Sequence, residues 1–185
     1  MYDNWLELDE CVKNCKKCDL CKERKNVVLG DGNINAKVMF IGEGPGADED
    51  EQGLPFVGKA GQLMNDAFKA IGIDRKEVYI ANIVKCRPPK NRNPYEKEIK
   101  ECLDYLRNQV ILVKPEIIVL LGSVALTSIL GKEYTITSAR GKWIEKKGIK
   151  YIPTFHPAAL LRDDSKKISF YKDLKMVKKE MDKEN

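Results

Sequence analysis

The sequence predicts an α/β fold: a three-layer α/β/α sandwich with a central, mostly parallel sheet of about four strands. Four short apolar runs are typical of strands buried on both faces, and stretches with helical periodicity lie between and after them. No linker, repeat or low-complexity segment interrupts the 185 residues. We therefore expect a single domain, 1–185, onto which an N-terminal cysteine-bearing segment, 1–26, docks through a metal centre.

The predicted strands are continuous apolar runs. A strand covered by helices on both faces is apolar along its whole length, whereas a half-exposed strand alternates. Glycine follows the first run at Gly42 and marks its end. The predicted strands are residues 38–41, 78–81, 117–121 and 151–155.

The predicted helices carry apolar residues three and four positions apart. Pro94 stands just before the second of them, where a first-turn proline is tolerated. The charged C-terminal stretch is expected to close the chain as a surface helix. The predicted helices are residues 63–71, 96–113, 123–130 and 165–183.

Composition and charge exclude several classes of protein. The chain is 43% hydrophobic and 33% charged, as in ordinary globular domains, and its net charge of +5 is only mildly basic. No apolar run approaches the roughly 18 residues of a spanning helix, and residues 1–5 lack the basic-then-apolar order of a signal peptide. We expect a cytoplasmic protein for which a nucleic-acid partner is permitted but not required.

Six cysteines in a chain without an export signal favour metal binding over disulfides, because the cytosol is reducing. They are Cys11, Cys15, Cys18 and Cys21 near the N-terminus, and Cys86 and Cys102 downstream. The spacing of Cys15 and Cys18 suits two thiolates on one centre, which would tie the N-terminal segment to a distant part of the fold. From spacing alone, Cys11 and Cys21 remain competing ligands. A redox Cys-x-x-Cys beside buried, inert thiols also stays open.

Glycines and polar residues follow each predicted strand, at the edge of a parallel sheet where ligands bind. The only histidine, His156, stands at one of these strand ends and is a candidate site residue. The strand-end segments are residues 42–46, 82–87, 122–123 and 156–157.

The glycine-rich turn after the first strand also fits a loose dinucleotide-binding pattern, Gly42-x-Gly44-x-x-Ala47. Pro45 removes an amide that would face a pyrophosphate, and four consecutive carboxylates at residues 48–51 stand where phosphates should lie. A small flat ligand therefore fits better, and a nicotinamide-dependent oxidoreductase is the weaker alternative.

Four motifs stand in order along the chain. They are Gly42-Glu43-Gly44-Pro45-Gly46, Gly53-Leu54-Pro55-Phe56-Val57-Gly58, Asn82-Ile83-Val84-Lys85-Cys86-Arg87-Pro88-Pro89 and His156-Pro157-Ala158-Ala159-Leu160-Leu161-Arg162. Together they resemble the family 4 uracil-DNA glycosylases, the iron-sulfur branch of the uracil-DNA glycosylase superfamily. The resemblance extends from about Cys15 to Arg162.

The resemblance implies a structural [4Fe-4S] cluster. Its ligands would be Cys15, Cys18, Cys86 and Cys102. In the family the first cysteine pair lies shortly before a Val-Val-x-Gly-x-Gly segment, here residues 27–32, and this selects Cys15 and Cys18. Cys11 and Cys21 are left as spare thiols. The cluster is expected to orient the basic loop that follows Cys86.

The implied reaction is hydrolysis of the bond between uracil N1 and deoxyribose C1′ in single- or double-stranded DNA, which releases uracil and leaves an abasic site. The resemblance places His156 as a neutral donor to uracil O2, and Glu43 on the attacking water with Asn91 as a second contributor. Asn82 would pair with O4 and N3–H, and Phe56 would stack on the base. The other implied substrate-binding residues are Gly42, Gly44 and Glu49, the last at a position thought to exclude the thymine methyl group.

The implied partner is uracil-containing DNA, bound by a monomer and without a membrane, and no motif specifies a sliding clamp. Ser123 and the amides at the start of its helix are expected to bind phosphate, together with nearby cations. Leu160 or Leu161 would enter the duplex as a wedge when the base is flipped. The cations are Lys85, Arg87, Lys90, Arg92 and Arg162.

Two further alternatives remain. A related branch that becomes covalently trapped on uracil-containing DNA carries a basic insertion with a second histidine after the Asn82 motif. This chain has Lys-Cys-Arg-Pro-Pro at residues 85–89 and no second histidine, which disfavours that branch. The other alternative is a non-catalytic nucleic-acid binder whose four cysteines hold a structural zinc.

Overall fold

A computed structural model describes Tyr2 and residues 4–183, so four residues of the predicted domain, Met1, Asp3, Glu184 and Asn185, lie outside the described residues. Six strands form one sheet: β1 (Asp31–Gly32), β2 (Val38–Gly42), β3 (Tyr79–Asn82), β4 (Ile117–Leu121), β5 (Ile144–Lys146) and β6 (Ile149–Thr154). Their order is β1-β3-β2-β4-β6-β5. The central four are parallel, and the two short edge strands pair antiparallel. The predicted fold class is confirmed, and its four strands are the parallel ones.

The helices cover both faces of the sheet. They are α1 (Trp5–Lys13), α2 (Ala47–Gln52), α3 (Lys59–Ile71), α4 (Glu96–Val113), α5 (Ser123–Ile129), α6 (Ile136–Ala139), α7 (Pro157–Arg162) and α8 (Lys166–Met181). The four predicted helices correspond to α3, α4, α5 and α8. Across the described residues, no helix has the length and apolarity needed to cross a membrane.

Successive residues of the parallel strands pack on opposite faces of the sheet. Val38 and Phe40 of β2 pack in a core with residues of α3, α7 and α8, whereas Met39 and Ile41 pack in a second core with residues of α1, α4, α5 and α6. All of them are fully buried, and burying such a side chain stabilises the fold by about 1.5–3 kcal/mol. The two cores make the three layers.

The N-terminal segment packs on the α4 side of the sheet. The ring of Trp5 lies 5.3 Å from that of Tyr79. Arg24 donates to the carbonyl of Lys13 at 2.9 Å, and the buried carboxylate of Asp50 accepts from the amides at positions 25 and 26. These contacts hold the cysteine-bearing segment beside α4 and β3.

The strand order places a crevice at the carboxyl ends of the sheet. From β2 the chain moves to β3 on one side, and β4 then returns to the other side of β2. In open α/β sheets ligands bind at such a switch point, beyond the carboxyl ends of the strands. Three of the four sequence motifs begin at or just after these strand ends, and the second, residues 53–58, follows α2.

Candidate active site

Asn82 occupies the last position of β3 and is 1% exposed. Its Oδ1 is buried and has no hydrogen-bond partner among the described residues. Leaving a buried acceptor unpaired costs about 1–3 kcal/mol, so native structures rarely tolerate one without a reason. This amide oxygen is free to accept a hydrogen bond from a ligand.

Gly42 provides the space beside this amide. A Cβ at position 42 would lie 2.5 Å from Asn82 Oδ1 and 2.6 Å from Phe56 Cζ, closer than any real Cβ contact. A Cβ at Gly44 would lie 2.7 Å from Val84 Cγ2. The glycines of the first motif are therefore required by close packing, and they bring Asn82 and Phe56 to one place.

Phe56 is held in an uncommon backbone conformation, with φ at 52°. A left-handed conformation costs a residue with a side chain about 1–3 kcal/mol and persists only where surrounding contacts enforce it. Arg75 donates to the carbonyls of Pro55 at 2.7 Å and Phe56 at 3.3 Å, and Gly61 packs directly against the Phe56 backbone. These contacts fix the ring, which is 5% exposed.

Glu49 fastens the glycine-rich turn to the Phe56 segment. Its carboxylate accepts from the amides of Gly46 at 3.1 Å and of Val57 and Gly58 at 2.9 Å each. Charge-assisted bonds of this kind are about twice as strong as neutral ones. Exclusion of the thymine methyl group by Glu49 stays a prediction.

His156 is the N-cap of α7, and its Nδ1 accepts from the amide of Ala158 at 3.1 Å. Because Nδ1 accepts, the proton of the neutral ring is on Nε2, which leaves an N–H donor available. Burial, and secondarily the charge of Arg162, lower the pKa of His156 to about 4. The ring centre lies 5.6 Å from that of Phe56, so the histidine adjoins the Asn82 pocket.

Glu43 follows the last residue of β2 and is partly buried. Burial raises the pKa of its carboxyl, and the positive charge of Arg162 opposes the shift. Arg162 therefore acts electrostatically on both Glu43 and His156. It favours the ionised carboxylate and the neutral imidazole.

Asn91 lies apart from this group. It is exposed on a short turn, Pro89–Asn91, with φ at 54°, and its Oδ1 accepts from Arg87 Nε at 2.7 Å. No hydrogen bond joins it to Glu43 or His156 in the described structure. Its catalytic contribution stays a prediction.

Two residues predicted to contact DNA are buried, and those predictions are wrong. Lys85 is 1% exposed. Its ammonium group donates to the backbone carbonyl of Asn82 at 2.7 Å and to Gln109 Oε1 at 2.5 Å, so it does not reach a phosphate. Leu160 is 0% exposed within the core shared by α3, α7 and α8. Leu161, in contrast, is 49% exposed.

The remaining side chains predicted to contact DNA differ in their exposure and in whether they are already paired within the protein. Arg92 donates to the carboxylate of Glu98 from both Nη1, at 2.8 Å, and Nη2, at 2.7 Å, and its guanidinium group lies 3.6 Å over the ring centre of Tyr95. Its charge is thus paired within the loop. Lys90, Ser123 and Arg162 are exposed, and Arg87 is partly exposed.

The cysteines surround one cavity between the N-terminal segment and α4. Cys15, Cys18, Cys86 and Cys102 all line it, together with Cys21 and residues including Lys17, Arg24 and Lys85. Cys11 does not line it but is exposed and accepts from the Tyr2 hydroxyl at 2.9 Å. Two sulfurs have N–H donors: Arg24 Nη1 lies 3.1 Å from Cys86 Sγ, and the amide of Lys85 lies 3.3 Å from Cys102 Sγ.

Burial raises the pKa of Cys18, Cys86 and Cys102, the last to about 11. Such thiols become thiolates only when a cation compensates their charge. Within the part of the chain that the structure describes, no three His, Cys, Asp or Glu side chains form a ready metal-ion site. The thiols instead stand around a cavity.

Several supporting residues have no recognisable signal in the sequence. Arg75, Gln109, Asp50 and Arg24 hold the pocket or the cysteine cavity, and none belongs to a motif. Their partners are distant in the chain, so only the folded structure identifies them.

The profile of the Uracil DNA glycosylase superfamily matches residues 29–178. The Type-4 uracil-DNA glycosylase of Thermotoga maritima is 46% identical over 163 residues, which cover 87% of this chain and 85% of that protein. That of Pyrobaculum aerophilum is 43% identical over 178 residues, covering 92% and 91% of the two chains. That of Archaeoglobus fulgidus is 41% identical over 181 residues, again covering 92% and 91%.

These matches agree with the grouping of Asn82, Phe56 and His156 at the switch point of an α/β sheet. The chain therefore belongs to the uracil-DNA glycosylase superfamily and, within it, to the type-4 family of these relatives. The assignment favours a glycosylase over the nicotinamide-dependent oxidoreductase that the glycine-rich turn left open.

Proposed function

We propose that this protein is a DNA repair enzyme that hydrolyses the N-glycosidic bond of uracil in DNA, releasing uracil and leaving an abasic site. The observation that carries the proposal is the buried, unpartnered Oδ1 of Asn82 beside the ring of Phe56. Type-4 relatives at 41–46% identity support the same activity.

Asn82 accounts for selection of uracil. Its Oδ1 accepts from N3–H and its Nδ2 donates to O4, while Phe56 stacks on the flat face of the base. Cytosine presents an acceptor at N3 and a donor at C4, so both contacts would fail. A site that leaves its own buried polar groups unpaired with the wrong ligand can discriminate by about 10⁴–10⁵.

His156 acts on the leaving group. As the glycosidic bond breaks, negative charge develops on uracil, and the Nε2–H of the neutral imidazole donates to O2. A preorganised donor of this kind lowers the barrier by about 2.7–4 kcal/mol. The bond from Ala158 to Nδ1 holds the ring ready, because it fixes both tautomer and orientation.

Glu43 orients the attacking water toward C1′. Its position after β2 sets it beside the pocket, and Arg162 favours the anionic carboxylate that accepts the water protons. The anion also stabilises cationic character on the sugar. Asn91 is retained as a second contributor to water positioning.

DNA binds along the face of the protein at the carboxyl ends of the parallel strands. Lys90, Arg87 and Arg162 contact phosphates, and Ser123 offers its hydroxyl at the start of α5. Leu161 is the wedge that fills the space left by the flipped base. Arg92 shapes the loop through Glu98.

The cysteine cavity fits a [4Fe-4S] cluster bound by Cys15, Cys18, Cys86 and Cys102. Thiols set around a cavity suit a multi-atom cluster better than a single ion, and the N–H donors at Cys86 and Cys102 stabilise bound thiolates. The cluster supplies no electron to glycosidic hydrolysis. It cross-links the N-terminal segment to the loop that follows Cys86.

Activity is tested on single-stranded and duplex oligonucleotides that contain one uracil. Purified protein should create one alkali-labile site at the uracil and none in matched oligonucleotides that contain cytosine or thymine. The control is Asn82→Leu, which fills the pocket with an apolar group and should be inactive. Wild-type protein with an intact fold and metal centre that leaves the uracil in place would refute the proposal.

The metal centre is tested by colour and chemical content. An iron-sulfur protein is brown with broad visible absorption and contains iron and acid-labile sulfide in equal amounts. Cys15→Ser and Cys102→Ser should lose the colour, whereas Cys11→Ser should keep it. A colourless protein containing one zinc would decide for the structural-zinc alternative.

A further inference from the structure

Lys85 is an unusual core residue, because its ammonium group is buried and lies between two functional regions. Its Nζ donates to the carbonyl of Asn82 and to Gln109 Oε1, and its own amide donates to Cys102 Sγ. Gln109 is oriented by its other amide atom, which donates to the carbonyl of Leu29 at 2.8 Å and to the Tyr79 hydroxyl at 3.0 Å. The lysine thus touches both the uracil pocket and the cysteine cavity.

No carboxylate compensates this charge within the described residues. The ion pairs found there do not include Lys85, and both side-chain contacts of its Nζ are neutral carbonyl oxygens. Burial of an unpaired cation is costly, and proteins ordinarily avoid it. Lys85 lines the cysteine cavity and its amide contacts Cys102 Sγ, so the thiolates of a bound cluster would be the negative charges beside it.

We infer that Lys85 is the buried counter-cation of the cysteine-bound cluster and the positioning residue that connects this cluster to Asn82. The inference rests on the proposed cluster. Four thiolates around an iron-sulfur core leave net negative charge in the cavity, and the Lys85 ammonium group compensates it. The same ammonium group binds the backbone carbonyl of Asn82, whose side-chain amide is the proposed uracil contact. One lysine therefore contacts both regions.

The helix geometry supports this connection. Cys102 and Gln109 are seven residues apart on α4 and therefore lie on one face of the helix. That face meets Lys85 twice, at its amide through Cys102 and at its ammonium group through Gln109. Lys85 therefore contacts Cys102 through its backbone amide and the end of β3 through its side chain.

The test compares two lysines that line the same cavity. Lys85 is buried, whereas Lys17 is exposed, with its Nζ 4.6 Å from the ring centre of Tyr105. Each is replaced by methionine, whose side chain is similar in length to that of lysine but carries no charge. Holoprotein is mixed with an iron chelator, and loss of visible absorption is followed with time. Lys85→Met should release iron about 10- to 100-fold faster than wild type, and Lys17→Met at nearly the wild-type rate.

A third variant separates charge from packing. Gln109→Met removes the Oε1 partner but keeps the Lys85 charge, so iron release should stay near the wild-type rate. If iron release is accelerated equally in Lys85→Met and Gln109→Met, Lys85 has only a packing role and the inference is overturned. Iron release at the wild-type rate from Lys85→Met would also overturn it. If Lys85→Met does not fold, Lys85→Gln, which keeps an N–H donor without the charge, provides the same comparison.

The positioning of Asn82 by Lys85 is tested separately, through the inhibition constant for free uracil. In iron-replete Lys85→Met, the inhibition constant for free uracil should rise several-fold, since the carbonyl of Asn82 has lost its support. An unchanged constant would overturn the positioning role. Iron release is measured without DNA, so a wild-type protein that binds iron but spares uracil refutes the proposed function alone. A wild-type protein without iron overturns the inference.

Discussion

Two side chains in the pocket have opposite hydrogen-bond states. His156 has its Nδ1 satisfied by the chain itself, whereas Asn82 keeps a buried oxygen unsatisfied. The first arrangement fixes a donor, and the second reserves an acceptor whose cost is recovered only when a ligand binds. In the proposed function, the acceptor serves recognition of the base and the donor serves the chemistry.

The protonation state of His156 gives a testable pH dependence. Its pKa is lowered to about 4, so the imidazole should remain neutral down to that pH and kcat/KM should show no break at about 6.5. An NMR titration of the single histidine should find the low value. The unfolded chain takes up its proton near pH 6.5, so stability is full above that pH and decreases as pH falls toward 4.

A break in kcat/KM near pH 6.5 that tracks an NMR titration of His156 would contradict this prediction. We expect instead that kcat/KM decreases at acid pH because Glu43 becomes protonated. Its pKa is raised above the ordinary carboxyl value by burial, and Glu43→Gln should remove that decrease while the histidine titration is unchanged.

At this scale the sequence identified residue types at strand ends but not the direction of each side chain. Gly42, Asn82 and His156 come together because parallel strands end at one edge, which a motif order can indicate, whereas Phe56 reaches them from the segment between α2 and α3. Lys85 was misjudged because a lysine in a basic stretch is normally exposed. Its burial depends on Gln109, which is 24 residues away.

α7 shows how a short element divides its functions. This six-residue helix begins after His156, turns Leu160 into the core and leaves Leu161 and Arg162 exposed. The inward leucine anchors the helix, and its outward neighbours face the solvent, where the proposed contact with DNA would form.

Adjacent leucines on α7 should therefore respond differently to truncation. Leu161→Ala should lower excision from duplex DNA by about tenfold, because the wedge that offsets unstacking is lost, and should spare single-stranded DNA. Leu160→Ala should instead lower the free energy of unfolding by about 2–5 kcal/mol. Excision rates and denaturant titrations measure the two effects, and a duplex defect in Leu161→Ala that is matched on single strands would contradict the wedge role.

Long elements were predictable, and short ones were not. α4 has the predicted bounds, since helical periodicity persists through its 18 residues. β1 and β5 have two and three residues, too few for a pattern, and exist only because a neighbouring strand offers hydrogen bonds. The predictions also lack α2, α6 and α7, which have six, four and six residues.

At the scale of the molecule, a buried charge network connects α8 to the strand that leads to His156. Asp173 is 1% exposed and accepts from Thr154 at 2.7 Å and from Arg140 at 2.5 and 3.1 Å. Thr154 ends β6, two residues before His156. The C-terminal helix thus supports the far side of the pocket.

Removal of this carboxylate should destabilise the whole protein. Asp173→Ala leaves Arg140 without its partner, and we expect a loss of about 3 kcal/mol in the free energy of unfolding, measured with denaturant. The matched control is Asp164→Ala, in an exposed pair with Lys167, which should change stability by less than about 1 kcal/mol. Equal stability losses in the two variants would show that the buried network is not special.

The order of the strands and the individual contacts that hold the N-terminal segment were beyond sequence patterns. Alternation of strands and helices predicts a parallel sheet, but it does not say that β2 lies between β3 and β4. Similarly, the contact between Arg24 and Cys86 joins residues 62 positions apart with no local signal. Such placements arise from the packing of the complete chain.

The capping role of His156 suggests a molecular tool. Asparagine is among the most favourable N-cap residues, so His156→Asn can accept from the Ala158 amide and preserve α7 while it removes the Nε2 donor. Asn82, Phe56 and Leu161 would remain in place. A protein altered in this way would mark uracil in DNA without cutting it out, and a fluorescent label on it would report where deamination has occurred.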